Sequence, residues 1–317
     1  MRRLPLTLAL LLAAAAACSA ASSALFTDLK PIVLDASYRH DRFDTKPKDI
    51  VRHFRAYTTS FDSDDDNDGD GTGDNWAIPE WVAYELRKAP PNQGSAPARP
   101  STWITVAYEL RKAPPNLGSA PDRPSTWITD TTLHTQQVAP DDDSYKNSGY
   151  SRGHMCMKTH AWRLGADADW NTHTVLNACP QIQRMNNGAW KGLEQKTGKW
   201  ADKFEVVWIV CGPIIFNNGT PTTWIGDPGE VKVAVPDAFF KIVVKDALNG
   251  GLDVLAFILP MYGGDDYGSS KADLTPYLSS VDAIEALTGL DFLSNVNEEM
   301  ETKVERIVQT ELWETGG

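Results

Sequence analysis

Short apolar runs alternate with turn-forming clusters along the C-terminal half of the chain. Residues 207–215, 239–244 and 252–259 are rich in Val, Ile and Phe and are bounded by Gly, Pro and Asn, the pattern of strands. Residues 280–287 and 295–312 read instead as helices, the second opening on the acidic stretch that suits a helix N-terminus. Residues 186–196 predict a further helix. These elements lack the regular strand–helix–strand alternation of a doubly wound sheet, so the pattern predicts a mixed α+β architecture. Trp81, Trp190 and Trp208 suit core positions.

Upstream, the pattern changes character. Met1-Arg2-Arg3 leads into an apolar Leu/Ala run that ends at Ala17 and is followed by small residues. That run is too short for a spanning helix, which needs about 20 apolar residues, and predicts a secretory signal over residues 1–21. Ala-Ala-Cys18 also resembles a lipoprotein processing site, so a lipid anchor at Cys18 is the alternative to simple secretion or a periplasmic location. No later segment is long and apolar enough to span a membrane. Residues 22–75 then form an N-terminal extension, and residues 76–317 the main domain. Within that domain residues 82–105 recur as 106–129, differing only at Gln93/Leu117 and Ala98/Asp122. Two copies do not make a solenoid; they read as a tandem duplication of one strand and one loop.

Charge changes the picture less than it first suggests. The net charge is −12, which argues against a broad electrostatic grip on nucleic acid. Seven aspartates lie between Asp62 and Asp74 with no base among them, so much of that charge is local. Asp64, Asp66 and Asp68, followed by Gly69, have the alternating carboxylates of a calcium loop, but the twelfth position is Asn75 rather than a bidentate Glu. A solvated acidic linker is the alternative. Past the leader remain Cys156, Cys179 and Cys211, which cannot all pair; a Cys156–Cys179 bridge and three buried thiols are both open.

The candidate chemistry lies in Tyr150-Ser151-Arg152-Gly153-His154-Met155 and in the polar cluster from Asn177 through Pro180-Gln181 to Asn186-Asn187-Gly188-Ala189-Trp190 and Glu194. A histidine can take a proton from water near neutral pH, an arginine can hold phosphate bidentately, and an asparagine with a carboxylate suits a hard, hydrated cation. On one helix Asn186 and Glu194 would share a face about 12 Å apart, so only one could touch the ion and the other would order its water shell. Asn186 is the ligand on this reading and Asn187 its neighbouring alternative. His160 and His173 read as structural, because the acids and spacing of a zinc protease are absent.

SRGHM, then NxxPQ, then NNGAWxxLE resembles the DNA/RNA non-specific endonuclease family, the sugar-non-specific nucleases of the ββα-metal group. Further blocks at 81–86, 207–213, 235–241, 256–260 and 284–292 resemble its strands and last helix in order. The resemblance implies a ββα-metal (His-Me finger) fold with a central, mainly antiparallel sheet flanked by helices. It implies His154 as general base, Asn186 as the one direct ligand of Mg2+ or Mn2+, Glu194 in the water shell, and Arg152 and Asn177 in the site. A second phosphate-binding arginine falls on Arg123 or its repeat counterpart Arg99, and Arg123 is favoured because it runs directly into Asp130. Substrates would be DNA and RNA, and products would carry 5′ phosphates. Ser151 departs from the family's Asp, and Thr159 from its usual Ala. Two other readings stay open: a nucleic-acid-binding protein of the same fold inactivated by Ser151 and the inserted repeat, and a calcium-stabilised surface module.

Overall fold

The structure is a computed structural model that describes residues 50–54, 56–62, 75–86, 108–109, 127–216, 219–248, 251–294 and 296–314. Cys18, Asp64, Asp66, Asp68, Arg99 and Arg123 lie outside the described residues.

The main sheet is built from β1 (Ile50–His53), β2 (Thr58–Phe61), β3 (Pro79–Leu86), β4 (Tyr108–Glu109), β7 (Trp208–Ile214), β10 (Ala238–Asp246), β11 (Leu252–Pro260) and β12 (Leu278–Ser279), its central strands apolar on both faces. Its order is β1-β2-β3-β7-β10-β11-β12, each neighbour antiparallel, with β4 parallel to the end of β3. The expected strands at 207–215, 239–244 and 252–259 are thus β7, β10 and β11. β1 and β2, within the stretch read as an extension, complete one edge. Copy one of the repeat supplies the core strand β3, and copy two lays Tyr108 beside Glu85.

Alternate residues of these strands feed two cores. Val82, Ile209, Cys211, Phe239, Val243, Leu255 and Phe257 face one side, with Trp190, Leu193 and Trp200. Trp81, Ala83, Val210, Phe240, Ile242, Val254 and Ala256 face the other, with Val281, Ile284 and Val304. On the first side lie α1 (Thr131–Thr135), the hairpin β5 (Ser151–His154) and β6 (Ala178–Gln181), α2 (Lys158–Trp162), α3 (Ala166–Asn171), α4 (Gln183–Met185) and α5 (Lys191–Phe204). On the second lie α6 (Val281–Thr288) and α7 (Glu298–Glu305). A two-stranded ribbon, β8 (Trp224–Ile225) with β9 (Val233–Ala234), forms a separate sheet that packs into the first core through Ile225, Val233 and Ala234.

Two helices differ from expectation. The one read over 295–312 is only α7, opened by Asn297, whose side chain accepts from Met300 N–H. The chain then turns so that Trp313 packs edge-on against Trp200 at 5.4 Å and against Phe204, with Trp200 Nε1 donating to the Trp313 carbonyl at 2.9 Å. Burying that indole outweighs continued helical periodicity. The helix read over 186–196 begins instead as a π turn, Asn186–Trp190, before α5.

Candidate active site

His154 ends β5 opposite Ala178 of β6, and Ser151 stands opposite Gln181. The backbone around His154 is held from three directions. Asn177 is completely buried; its amide donates to the carbonyls of Cys156 at 2.9 Å and Thr172 at 3.0 Å and accepts from Cys156 N–H at 2.8 Å. Tyr84 of β3 donates to the Met155 carbonyl at 2.9 Å and accepts from Met157 N–H at 3.0 Å. Trp190, where α5 begins, donates its indole N–H to the His154 carbonyl at 3.0 Å. Sheet, hairpin and helix therefore fix one short backbone stretch, and the imidazole is carried on a rigid base.

The ring itself packs against aromatic neighbours. Trp127 lies 4.6 Å from it between centroids and His173 meets it edge-on at 5.3 Å. Main-chain bonds from Ile128 N–H to the His173 carbonyl and from Val175 N–H to the Ile128 carbonyl place Trp127 there. His160 and His173 are 3% and 2% exposed, whereas His154 is half-buried. Burial first, then the charges of Arg163 and Lys241, hold His160 well below the ordinary imidazole range. A neutral, enclosed His160 cannot exchange protons with substrate, which leaves His154 as the candidate base.

Arg152 is engaged by Asp142, donating to its main-chain carbonyl and pairing with its carboxylate at 2.8 Å, with the guanidinium 5.2 Å from the Tyr145 ring centre. Nε of Arg152 is buried with no partner among the described residues, while the side chain as a whole stays 21% exposed. Ser151 donates its hydroxyl to Gln183 Oε1, tying β5 to α4. It supplies a neutral link where the family has a charge.

Asn186 opens the π turn half-buried, and Glu194 is 6% exposed on α5. Gly188 between them leaves helical geometry at φ −98° and ψ −114°. The two side chains therefore do not lie on one uninterrupted helix, and the straight-helix spacing expected from sequence does not apply. Glu194 is close enough to Tyr84, Cys156 and Cys211 for its charge to oppose ionisation of all three. An amide oxygen and a buried carboxylate form a hard-oxygen donor set, which fits a magnesium or manganese ion that keeps several waters and does not fit zinc. Cys156, Cys179 and Cys211 are buried and form no disulfide, so the bridge weighed from sequence is not formed. Burial pushes the thiols of Cys156 and Cys179 well up and that of Cys211 up to about 11, leaving them inert.

Four contributors escaped the sequence reading. Tyr84 and Trp127 act from repeat copies distant in sequence, and Asp142 sits in an acidic triplet with no distinguishing spacing. Lys241 carried a signal, a lysine in phase with Phe239 and Val243 on the inward side of a strand. It is 1% exposed, with Nζ 4.2 Å from the Trp190 ring centre, a buried cation–π contact under the start of α5.

A two-stranded pairing whose first strand ends in His154, followed by a turn and helix bearing Asn186 and Glu194 and docked on an antiparallel sheet, defines a ββα-metal nuclease fold. Residues 72–299 match the family described as DNA/RNA non-specific endonuclease, and the chain belongs to that family. Relatives include mitochondrial endonuclease G from Homo sapiens, 28% identical over 176 residues, 53% of this chain and 56% of the relative. A nuclease from Nostoc sp. is 32% identical over 184 residues, 56% of this chain and 62% of the relative. The chain thus spans a little over half the length of these relatives. The solved EndoG/EndoGI complex shares the fold, with a TM-score of 0.54 at 21% identity over 79% of this chain and 88% of that one.

Proposed function

We propose that this chain is a metal-dependent endonuclease that hydrolyses phosphodiester bonds in DNA and RNA with little sequence preference. The observation that carries the reading is the junction at His154, where the Trp190 indole ties the main chain of the candidate base to the point at which the π turn bearing Asn186 meets the helix bearing Glu194. His154 takes a proton from the water that attacks phosphorus in line. Bound at Asn186, magnesium or manganese supplies positive charge for the scissile phosphate and the departing 3′ oxygen. Glu194 orients water around Asn186. Arg152 offers its remaining donors to phosphate, Arg123 is the second phosphate binder, and Asn177 holds the hairpin that carries His154. Products carry 5′ phosphates. Every contact invoked is to phosphate or water, so base identity matters little.

Residues 1–21 act as a secretory leader in this reading, which places the protein outside the cell or in a periplasm; attachment of lipid to Cys18 is the alternative. Among the described residues no helix is long and apolar enough to cross a membrane. The test is cleavage of supercoiled plasmid and of structured RNA in magnesium, beside a chelated control and His154→Ala. Both substrates are cut by the wild type, chelation abolishes cutting, and His154→Ala loses about 10²–10⁴-fold. Binding of either nucleic acid with cutting of neither would replace this reading by that of an inactive binder.

A further inference from the structure

The face of the sheet remote from His154 gathers acid. Asp282 and Glu285 lie one turn apart on α6 and Glu305 ends α7, and an oxygen from each carboxylate lies within 4.8 Å of the others. Glu305 is 7% exposed, and its Oε1 is buried with no hydrogen-bond partner. A carboxylate in the last turn of α7 also meets the negative end of the helix dipole. Glu285 is oriented from outside the cluster, accepting from Phe292 N–H at 2.7 Å. Asp291 and Glu301 add like charge nearby. None of the ion pairs formed among the described residues involves the three carboxylates. Holding a buried, unpartnered acid against two others is costly unless something positive lies between them.

We propose that Asp282, Glu285 and Glu305 bind a calcium ion that clasps α6 to α7. Calcium takes carboxylate and water oxygens in flexible geometry, which suits three carboxylates carried on two separate helices. Magnesium demands near-ideal octahedral geometry and resists dehydration. Burial first, then the surrounding carboxylates, push Glu305 up to about 8 and Glu285 up to about 7; a cation among them removes that opposition to ionisation. The site is structural. Val281, Ile284 and Val304 anchor the two helices in the second core, away from the core that holds Cys156, Trp190 and Leu193. It uses none of the residues of the acidic run at Asp64, Asp66 and Asp68.

The full chain, stripped with chelator, is titrated with calcium and with magnesium while heat of binding and thermal unfolding are followed. Glu305→Gln, Asp282→Asn and the triple change Asp64→Asn, Asp66→Asn, Asp68→Asn are measured alongside. Wild type gains about 5–10 °C in Tm at calcium 100-fold above its Kd, with less from magnesium. In chelator Glu305→Gln melts higher than wild type, because the cost of keeping that carboxyl protonated in the folded state is gone, and calcium no longer moves it. Asp282→Asn, an exposed and sterically neutral change, loses most of the response, and the triple variant keeps it. A wild type indifferent to calcium would mean that protons alone settle the cluster, and the proposal falls. It falls equally if Glu305→Gln and Asp282→Asn respond as wild type does, since the ion then sits elsewhere.

Discussion

His160 illustrates how one residue can stabilise the site by not titrating. Its Nε2 lies 3.1 Å from the Glu194 carbonyl, which can only accept, so that nitrogen carries the proton and the neutral ring bridges α2 to α5. Burial, Arg163 and Lys241 depress its pKa well below 6.5. In the unfolded chain the ring protonates as pH falls through about 6.5, while in the folded chain it stays neutral, so the unfolded state binds more protons. Stability is therefore full above that value and is lost on acidification, by up to about 1.4 kcal/mol per pH unit for this one group. Urea midpoints between pH 7 and 5 check this. Wild type should lose more stability over that range than His160→Gln, which keeps a donor and cannot titrate; equal slopes would remove His160 as the cause. At this scale the chemistry was legible where it is local. His154, Arg152, Asn177, Asn186 and Glu194 fall within one short segment with characteristic spacings, whereas Tyr84, Asp142 and Lys241 reach the site through tertiary contacts that no spacing records.

Strands were more legible than helix ends, because β7, β10 and β11 are covered on both faces and so read as nearly unbroken Val, Ile and Phe runs between turn residues, while the π turn and the early end of α7 answer to packing elsewhere. Gly188 is the clearest case. A Cβ there would lie 2.1 Å from the Tyr267 carbonyl oxygen and 2.7 Å from the backbone of Gly268, and Gly192 one turn on meets the Ser270 carbonyl at 2.6 Å. The segment entering α5 is thus seated on the backbone of the 267–270 loop, and the turn opens to let the chain pass. Gly153 looks equally crowded, with a Cβ 2.2 Å from Gln181, but its obstacle is a side chain that can swing. Gly188→Ala should therefore cost about 2–3 kcal/mol, at the upper end of overpacking effects, and displace Asn186. Gly153→Ala should cost less. Denaturant midpoints for the two variants decide it, and the reverse ranking would show that the loop is softer than its contacts imply.

For the molecule as a whole, the question is what the duplicated 24 residues contribute. Copy one supplies β3 and Tyr84, in the middle of the sheet and bonded to the stretch after His154; copy two ends in Trp127 and Ile128, which pack beside His154 and His173. Those roles lie at opposite ends of one repeat unit, so a single copy can perform both. Deleting 106–129 joins Thr105 to Asp130 and puts Trp103, Ile104 and Arg99 where Trp127, Ile128 and Arg123 stood, with the same local sequence except Ala98 in place of Asp122. Sixteen residues would still separate Leu86 from Trp103, enough to cover about 50 Å when extended. The loss is the two-residue parallel pairing of β4 on β3; the gain is about 1 kcal/mol from closing a shorter loop. These terms nearly cancel, so the deletion variant should melt within about 4 °C of wild type and keep its His154-dependent cleavage. A loss of folding would mean that the second copy occupies a place of its own in the core, and that the duplication has become part of the architecture rather than a tolerated insertion between a strand and the site it supports.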